Sequence, residues 1–147
     1  MKKNILILIL FISANLSFGQ KEEISMKPIL TDAGQFIQKV EMEFGQEIVR
    51  MEFDILQTSK ETYRMLSEKY EYGILAFGDY RISDINIKIY KWVNNQWNLV
   101  GKDDKTDSNA LVTIKPSVSG EYKIVISAYK FEKGYDIGHY GLIIFHN

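Results

Sequence analysis

The chain has 147 residues, enough for one domain of ordinary size. Eighteen Lys and Arg stand against nineteen Asp and Glu; a formal charge of −1 argues neither for a nucleic-acid footprint nor for an acidic, disordered chain. Hydrophobic residues at 46% and aromatics at 13% suffice for one packed core, and the lack of cysteine excludes disulfides, thiolate zinc sites, a cysteine nucleophile and a lipid-modified cysteine anchor.

Met1-Lys2-Lys3 is a short positive start, and Ile5 to Ile12 is an unbroken apolar run. Ser13 to Gly19 is small and weakly polar. This is the layout of a secretory signal peptide, and the apolar run falls short of the roughly 20 residues that span a bilayer. Ser17 and Gly19 stand at −3 and −1 if cleavage falls before Gln20. The segment resembles the signal peptides of Gram-negative bacteria, where Gln often follows the cut. We therefore read 1–19 as a signal peptide and 20–147 as a single exported domain, periplasmic or extracellular, with no membrane span after cleavage. Its removal takes away Lys2 and Lys3 and no acid, moving the formal charge from −1 to −3 over 128 residues.

Gln20 to Lys27 reads as a polar lead-in closed by Pro28. Thr31 and Asp32 offer N-cap oxygens, and Gln35 stands three residues after Asp32 as in a capping box. Phe36, Ile37, Val40 and Phe44 follow at helical spacing, which predicts one amphipathic helix over about 31–44, ending near Gly45.

From Ile48 the period becomes two, with Ile48, Arg50, Glu52 and Asp54 alternating with Val49, Met51, Phe53 and Ile55. The expected strands are 48–57, 62–67, 70–78, 85–93, 96–101, 110–115, 120–130 and 138–146, with turn residues between them. About eight short strands with regular turn signals predict an all-β, antiparallel sandwich or barrel.

Asn94-Asn95 suits a two-residue type I′ turn, which pairs Val93 with Gln96 and sets Trp92 opposite Trp97 and Tyr90 opposite Leu99. These four share one side of the sheet, while Ile85, Ile87, Ile89 and Val93, with Val100, share the other. Both faces are thus partly apolar. One lines the core, and the other needs a cover, a partner or a ligand; the helix at 31–44 is one such cover. The strand at 138–146 has the same double character, with Tyr140, Leu142 and Ile144 opposing Ile143 and Phe145.

Asp84-Ile85-Asn86-Ile87-Lys88-Ile89-Tyr90 resembles the "D-x-D-L-x-V-Y" strand of the bacterial pre-peptidase C-terminal domain, with Asn86 where the second Asp is expected. Ser119 to Ile126 resembles that family's "G-x-Y-x-x-x-V" strand, and Tyr140 to Ile144 its closing "Y-x-L-x-V" strand. Tyr72 to Asp79 sits where a "Y-x-I-x-A" strand belongs, so the likeness covers about 70–146. It implies a jelly-roll-like β-sandwich that accompanies secreted hydrolases, aids export or binds substrate, and does no chemistry itself. Some relatives bind calcium.

His139 and His146 are seven apart, so on one straight strand they point to opposite faces and share no zinc. Asp136 and His139, with Ser67 or Ser127, raise a small secreted hydrolase as an alternative, but no serine sits in a G-x-S-x-G elbow. The Lys102–Asp107 loop fails as an EF-hand, because Ile114 and Lys115 stand where a bidentate Glu is needed. Asp79, Asp84 and Asn86 form a better oxygen set, because two connected loops could converge at one end of a sandwich; calcium is the cofactor they would hold, and turn capping is their ordinary role. Glu41 and Glu43 diverge on a helix and make no catalytic pair.

The aromatic set Tyr90, Trp92 and Trp97 carries the functional reading: flat rings on an outer sheet face stack on sugars or bury in a protein partner. The sequence thus reads as a secreted, non-catalytic binding or accessory β-sandwich for a carbohydrate or a secreted protein. A structural or inhibitory subunit docking through the same face is the third possibility. Mass spectrometry of the exported protein should find a chain beginning at Gln20; an intact Met1 in the membrane fraction would refute the signal-peptide reading.

Overall fold

A computed structural model describes residues 25–147, so the expected signal peptide and its cleavage point lie outside the described residues. The described chain forms a helix, α1 (Lys27–Ile37), one π-wound stretch (Gln38–Glu43) and eight strands. These are β1 (Glu47–Leu56), β2 (Ser59–Leu66), β3 (Tyr72–Gly78), β4 (Ile82–Val93), β5 (Gln96–Asp103), β6 (Asn109–Ile114), β7 (Gly120–Phe131) and β8 (Gly138–His146). They build two four-stranded antiparallel sheets, in the orders β1-β8-β3-β6 and β2-β7-β4-β5. The expected all-β sandwich is the observed fold.

Alternation places the core. Ile85, Ile87 and Ile89 of β4 and Tyr122, Ile124 and Ile126 of β7 are buried against Ile74 and Ala76 of β3 and Tyr140, Leu142 and Ile144 of β8. The β4–β5 hairpin has the expected register: Asn94 and Asn95 both adopt positive φ, 52° and 62°, as a type I′ turn requires, and Trp92 pairs with Trp97. A bulge between Ile89 and Tyr90 then leaves Val100 half exposed rather than in the core.

The helix differs from expectation at both ends. It begins at Lys27, not near Thr31, with Pro28 in its first turn, where a missing N–H costs nothing. The Ser25 hydroxyl accepts the Lys27 N–H at 3.1 Å, and Thr31 is a helical residue donating to the Lys27 carbonyl at 2.9 Å. At the other end the Phe44 N–H bonds the Lys39 carbonyl five residues back, at 3.1 Å. That extra residue in the turn rotates Phe44 off the apolar stripe, so it is 61% exposed. Phe44 instead flanks a shallow apolar groove beside Val40, Leu75 and Leu111.

The helix lies on the outer face of the β1-β8-β3-β6 sheet. Ile29, Ala33 and Val40 pack on Leu75, Phe77, Ile143 and Phe145, with Phe36 and Phe77 ring centroids 4.8 Å apart. Glycines opposite the two phenylalanines make room: Phe145 pairs with Gly73 and Phe77 with Gly141, and each ring lies where a Cβ on the glycine would stand. Ile29, wholly buried, anchors the first turn of the helix. Ile29→Ala should cost about 2–5 kcal/mol in chemical denaturation, the range for a buried Ile truncated in a packed site. A loss below about 0.5 kcal/mol, typical of surface changes, would show the helix undocked.

Candidate functional site

Because the helix covers the other sheet, no helix among the described residues covers the outer face of β2-β7-β4-β5. Pairing builds that face in rows. Tyr63 of β2 pairs with Lys123 of β7, Lys123 with Tyr90 of β4, and Tyr90 with Leu99 of β5. One row on, Trp92 pairs with Trp97.

The rings and charges on this face interlock. The Trp92 and Trp97 centroids lie 5.1 Å apart with planes at 65°, so the indoles make a corner rather than one flat surface. Tyr63 tilts against Trp97 at 5.8 Å. The Lys123 ammonium sits 5.1 Å from the ring centroids of both Tyr90 and Trp97 and 3.6 Å from Glu61. Glu61 also accepts a 3.1 Å hydrogen bond from the Tyr63 hydroxyl, which holds that phenol above its ordinary pKa. Trp97 is therefore held on several sides, while Trp92 is 49% exposed.

Trp92 opens onto a recess of about 550 Å³ at the hairpin end of the sandwich. Its other walls are Lys91 of β4, Trp97 of β5, Val118 and Ser119 between β6 and β7, and Gly120 and Glu121 at the start of β7. Lys91 is committed: its ammonium donates to the Val118 carbonyl at 3.0 Å and lies 4.3 Å from the Tyr122 ring centroid. Sequence periodicity separates Glu121, Lys123 and Val125 from the buried Tyr122, Ile124 and Ile126. It does not say which strand lies alongside, so the parts played by Tyr63, Glu61, Lys123 and Glu121 come from sheet order alone.

The oxygen set is divided. Asp79 is buried in the β3–β4 turn, where Arg81 grips both its oxygens through Nε, at 3.2 and 3.0 Å, and one again through a terminal nitrogen. The backbone N–H groups of Arg81 and His139 also donate to this carboxylate, each at 3.0 Å. Burial works against ionisation here, but Arg81 and the two amides outweigh it and hold the Asp79 carboxyl below the usual carboxylate range. Asp84 and Asn86 lie further along β4, and one side-chain oxygen of each is buried without a hydrogen-bond donor among the described residues. Burial pushes the Asp84 carboxyl up, Asp107 adds to the effect, and Lys130 opposes it. With Asp79 spent on Arg81, no group of three or more His, Cys, Asp or Glu side chains among the described residues stands together as a metal site.

His139 is likewise engaged. Its Nδ1 lies 2.8 Å from an Arg81 terminal nitrogen. A guanidinium can only donate, so Nδ1 is the acceptor in this contact. Asp136 is exposed on the preceding loop. His146, on the opposite side of β8 as spacing demands, stacks on Tyr70 with centroids 4.1 Å apart.

No family model and no curated protein matches this chain. Among solved structures, the fold is similar to the pre-peptidase C-terminal domain of collagenase from Bacillus anthracis. That likeness has a TM-score of 0.51 at 13% identity and covers 65% of this chain and 87% of that one. It shows the same kind of sandwich and bears out the resemblance drawn from the strand motifs. A second similar structure is the Yersinia pseudotuberculosis-derived mitogen, with a TM-score of 0.49 at 14% identity over 67% of this chain and 85% of that one.

The Asp79–Arg81–His139 cluster generates a stability prediction. Asp79→Asn leaves a buried guanidinium without its counter-charge and should cost about 3–5 kcal/mol. Because the native Asp79 carboxyl titrates below its unfolded value, its contribution is full above the unfolded pKa, about 4, and fades as pH falls through the folded one. Denaturation at a series of pH values should therefore show a shallower acid loss in the variant; an unchanged acid limb would contradict this assignment.

Proposed function

We propose that this chain is an exported, non-catalytic β-sandwich that binds a protein or a glycan through the aromatic face of β4 and β5, with Trp92 as the principal contact and Trp97 and Tyr90 behind it. The observation that carries the reading is the position of the helix. It buries the outer face of one sheet and leaves on the other a half-exposed indole beside a recess of about 550 Å³. Exposed aromatic rings set on a rigid sheet are the residues that dominate binding energy in protein interfaces and stack on sugars. Among the described residues no helix is long and apolar enough to cross a membrane.

A hydrolytic reading would need His139 as a free base next to Asp136. The Arg81 contact at Nδ1 and the buried position of the ring favour a structural part for that histidine.

The test separates binding from folding. Trp92→Ala should weaken a bound partner, measured calorimetrically against secreted proteins and soluble oligosaccharides, by about 2 kcal/mol or more. Its cost in stability should stay near the roughly 0.5–1.5 kcal/mol of an aromatic pair. Ile87→Ala, wholly buried two turns of the pleat away, should instead cost about 2–5 kcal/mol of stability. If Trp92→Ala destabilises as much as Ile87→Ala and alters no binding, the face is structural.

A further inference from the structure

We propose that the recess beside Trp92 takes a cation, the ammonium or guanidinium of a Lys or Arg side chain presented by a protein partner. This rests on the reading that the aromatic face binds, and it chooses the protein over the glycan. Glu121 lines the recess, is exposed, and its carboxylate carries no hydrogen bond or ion pair among the described residues. A carboxylate beside an exposed indole offers a cation two attractions at once, the charge and the electron-rich ring face.

The same sheet face already seats a cation of its own in this way. Lys123 lies 5.1 Å from the Tyr90 and Trp97 centroids, with Glu61 at 3.6 Å. The recess repeats those parts one row on, with Trp92 and Glu121 in place and the cation left for a partner to supply. The other charge in the recess, the Lys91 ammonium, is turned to the Val118 carbonyl and the Tyr122 ring and forms no ion pair with Glu121. The indole corner points the same way. Planes crossing at 65° give no extended two-ring platform for a sugar, and a point cation needs only one indole face.

The full mature protein should be titrated with three probes while the two indole N–H signals are followed by NMR: acetyl-arginine amide, its neutral isostere acetyl-citrulline amide, and cellobiose. Acetyl-arginine amide should shift the Trp92 signal saturably, and the citrulline isostere should bind about tenfold more weakly. Glu121→Gln, an exposed change, should lower the arginine affinity about fivefold or more while leaving the folded spectrum intact, and added salt should weaken binding to the wild type but less to the variant. Equal binding of the two isosteres, or no effect of Glu121→Gln, would overturn the cation assignment. If cellobiose moves the Trp92 signal and arginine does not, the face binds but its ligand is a glycan, so this inference fails alone. If no probe moves that signal, the cation assignment and the binding reading both fall.

Discussion

Burial of β8 on both faces is the constraint from which the rest of the architecture follows. Tyr140, Leu142 and Ile144 enter the sandwich core, and Ile143 and Phe145 point the other way with as little exposure. A strand inside one sheet of a two-sheet sandwich can satisfy only one face with the opposing sheet. The second face needs a third layer, and α1 with its π-wound continuation is that layer. Paired glycines let it approach. Phe77 and Phe145 fold across Gly141 and Gly73, so the sheet offers the helix a surface of flattened rings instead of upright side chains. The helix is thus committed to this sheet and cannot shield the other.

The uncovered sheet manages its outer face differently. Charges are set among its rings: Lys123 lies against both Tyr90 and Trp97, and Glu61 holds both Lys123 and the Tyr63 hydroxyl. Ring faces that would otherwise meet water are occupied by a cation's alkyl stem and head, which keeps the aromatic area from reading as one continuous apolar patch. Trp92 stands at the end of this arrangement, where the hairpin runs out and no further strand supplies a neighbour. The exposed indole is therefore a consequence of where β4 ends as well as of the residue placed there.

Much of this was legible in the chain, and the illegible parts share a cause. Eight strands, the Asn94-Asn95 turn and the Trp92–Trp97 pairing follow from period and turn chemistry, which are local. Period does not say which face of a strand looks inward. In β1 the residues paired with Leu142 and Tyr140 are Glu52 and Asp54, so the polar half of the alternation turns toward the interior edge, and Phe53 joins the helix layer. There Arg50 pairs with Glu52 and donates to Thr62 at 3.0 Å, and Lys60 donates to Asp54 at 2.8 Å, closing the seam between β1 and β2 with charge. Tyr140 feels that seam: burial first, then Glu52 and Asp54, push its phenol up to about 12. The helix start departs from its sequence signal for a related reason. Thr31-Asp32 has the composition of a cap, but Ile29 has a buried position that only the opposing sheet creates. Likewise Asp79 reads as an oxygen ligand until the turn brings Arg81 back over it.

The two ends of β4 divide the labour of the molecule. At its start, Asp79, Arg81 and His139 tie the β3–β4 crossover to β8, and so join one sheet to the other through buried charge-assisted bonds. Such a cluster is a poor source of net stability relative to an apolar core, but losing one member is costly, so it fixes the geometry of the crossover. At its finish, ten residues on from Ile82, stands the exposed Trp92 corner. At about 3.3 Å per residue the two ends lie roughly 30 Å apart, beyond the distance at which substitutions ordinarily couple. Between them runs the isoleucine ladder of β4, packed at crystal-like density and able to carry a rigid position from one end to the other without transmitting a titration. A sheet face used for recognition gains from that separation. Under the proposed binding role, the ionisable groups that pin the fold would stand away from the partner, and Trp92 could vary without loosening the fold.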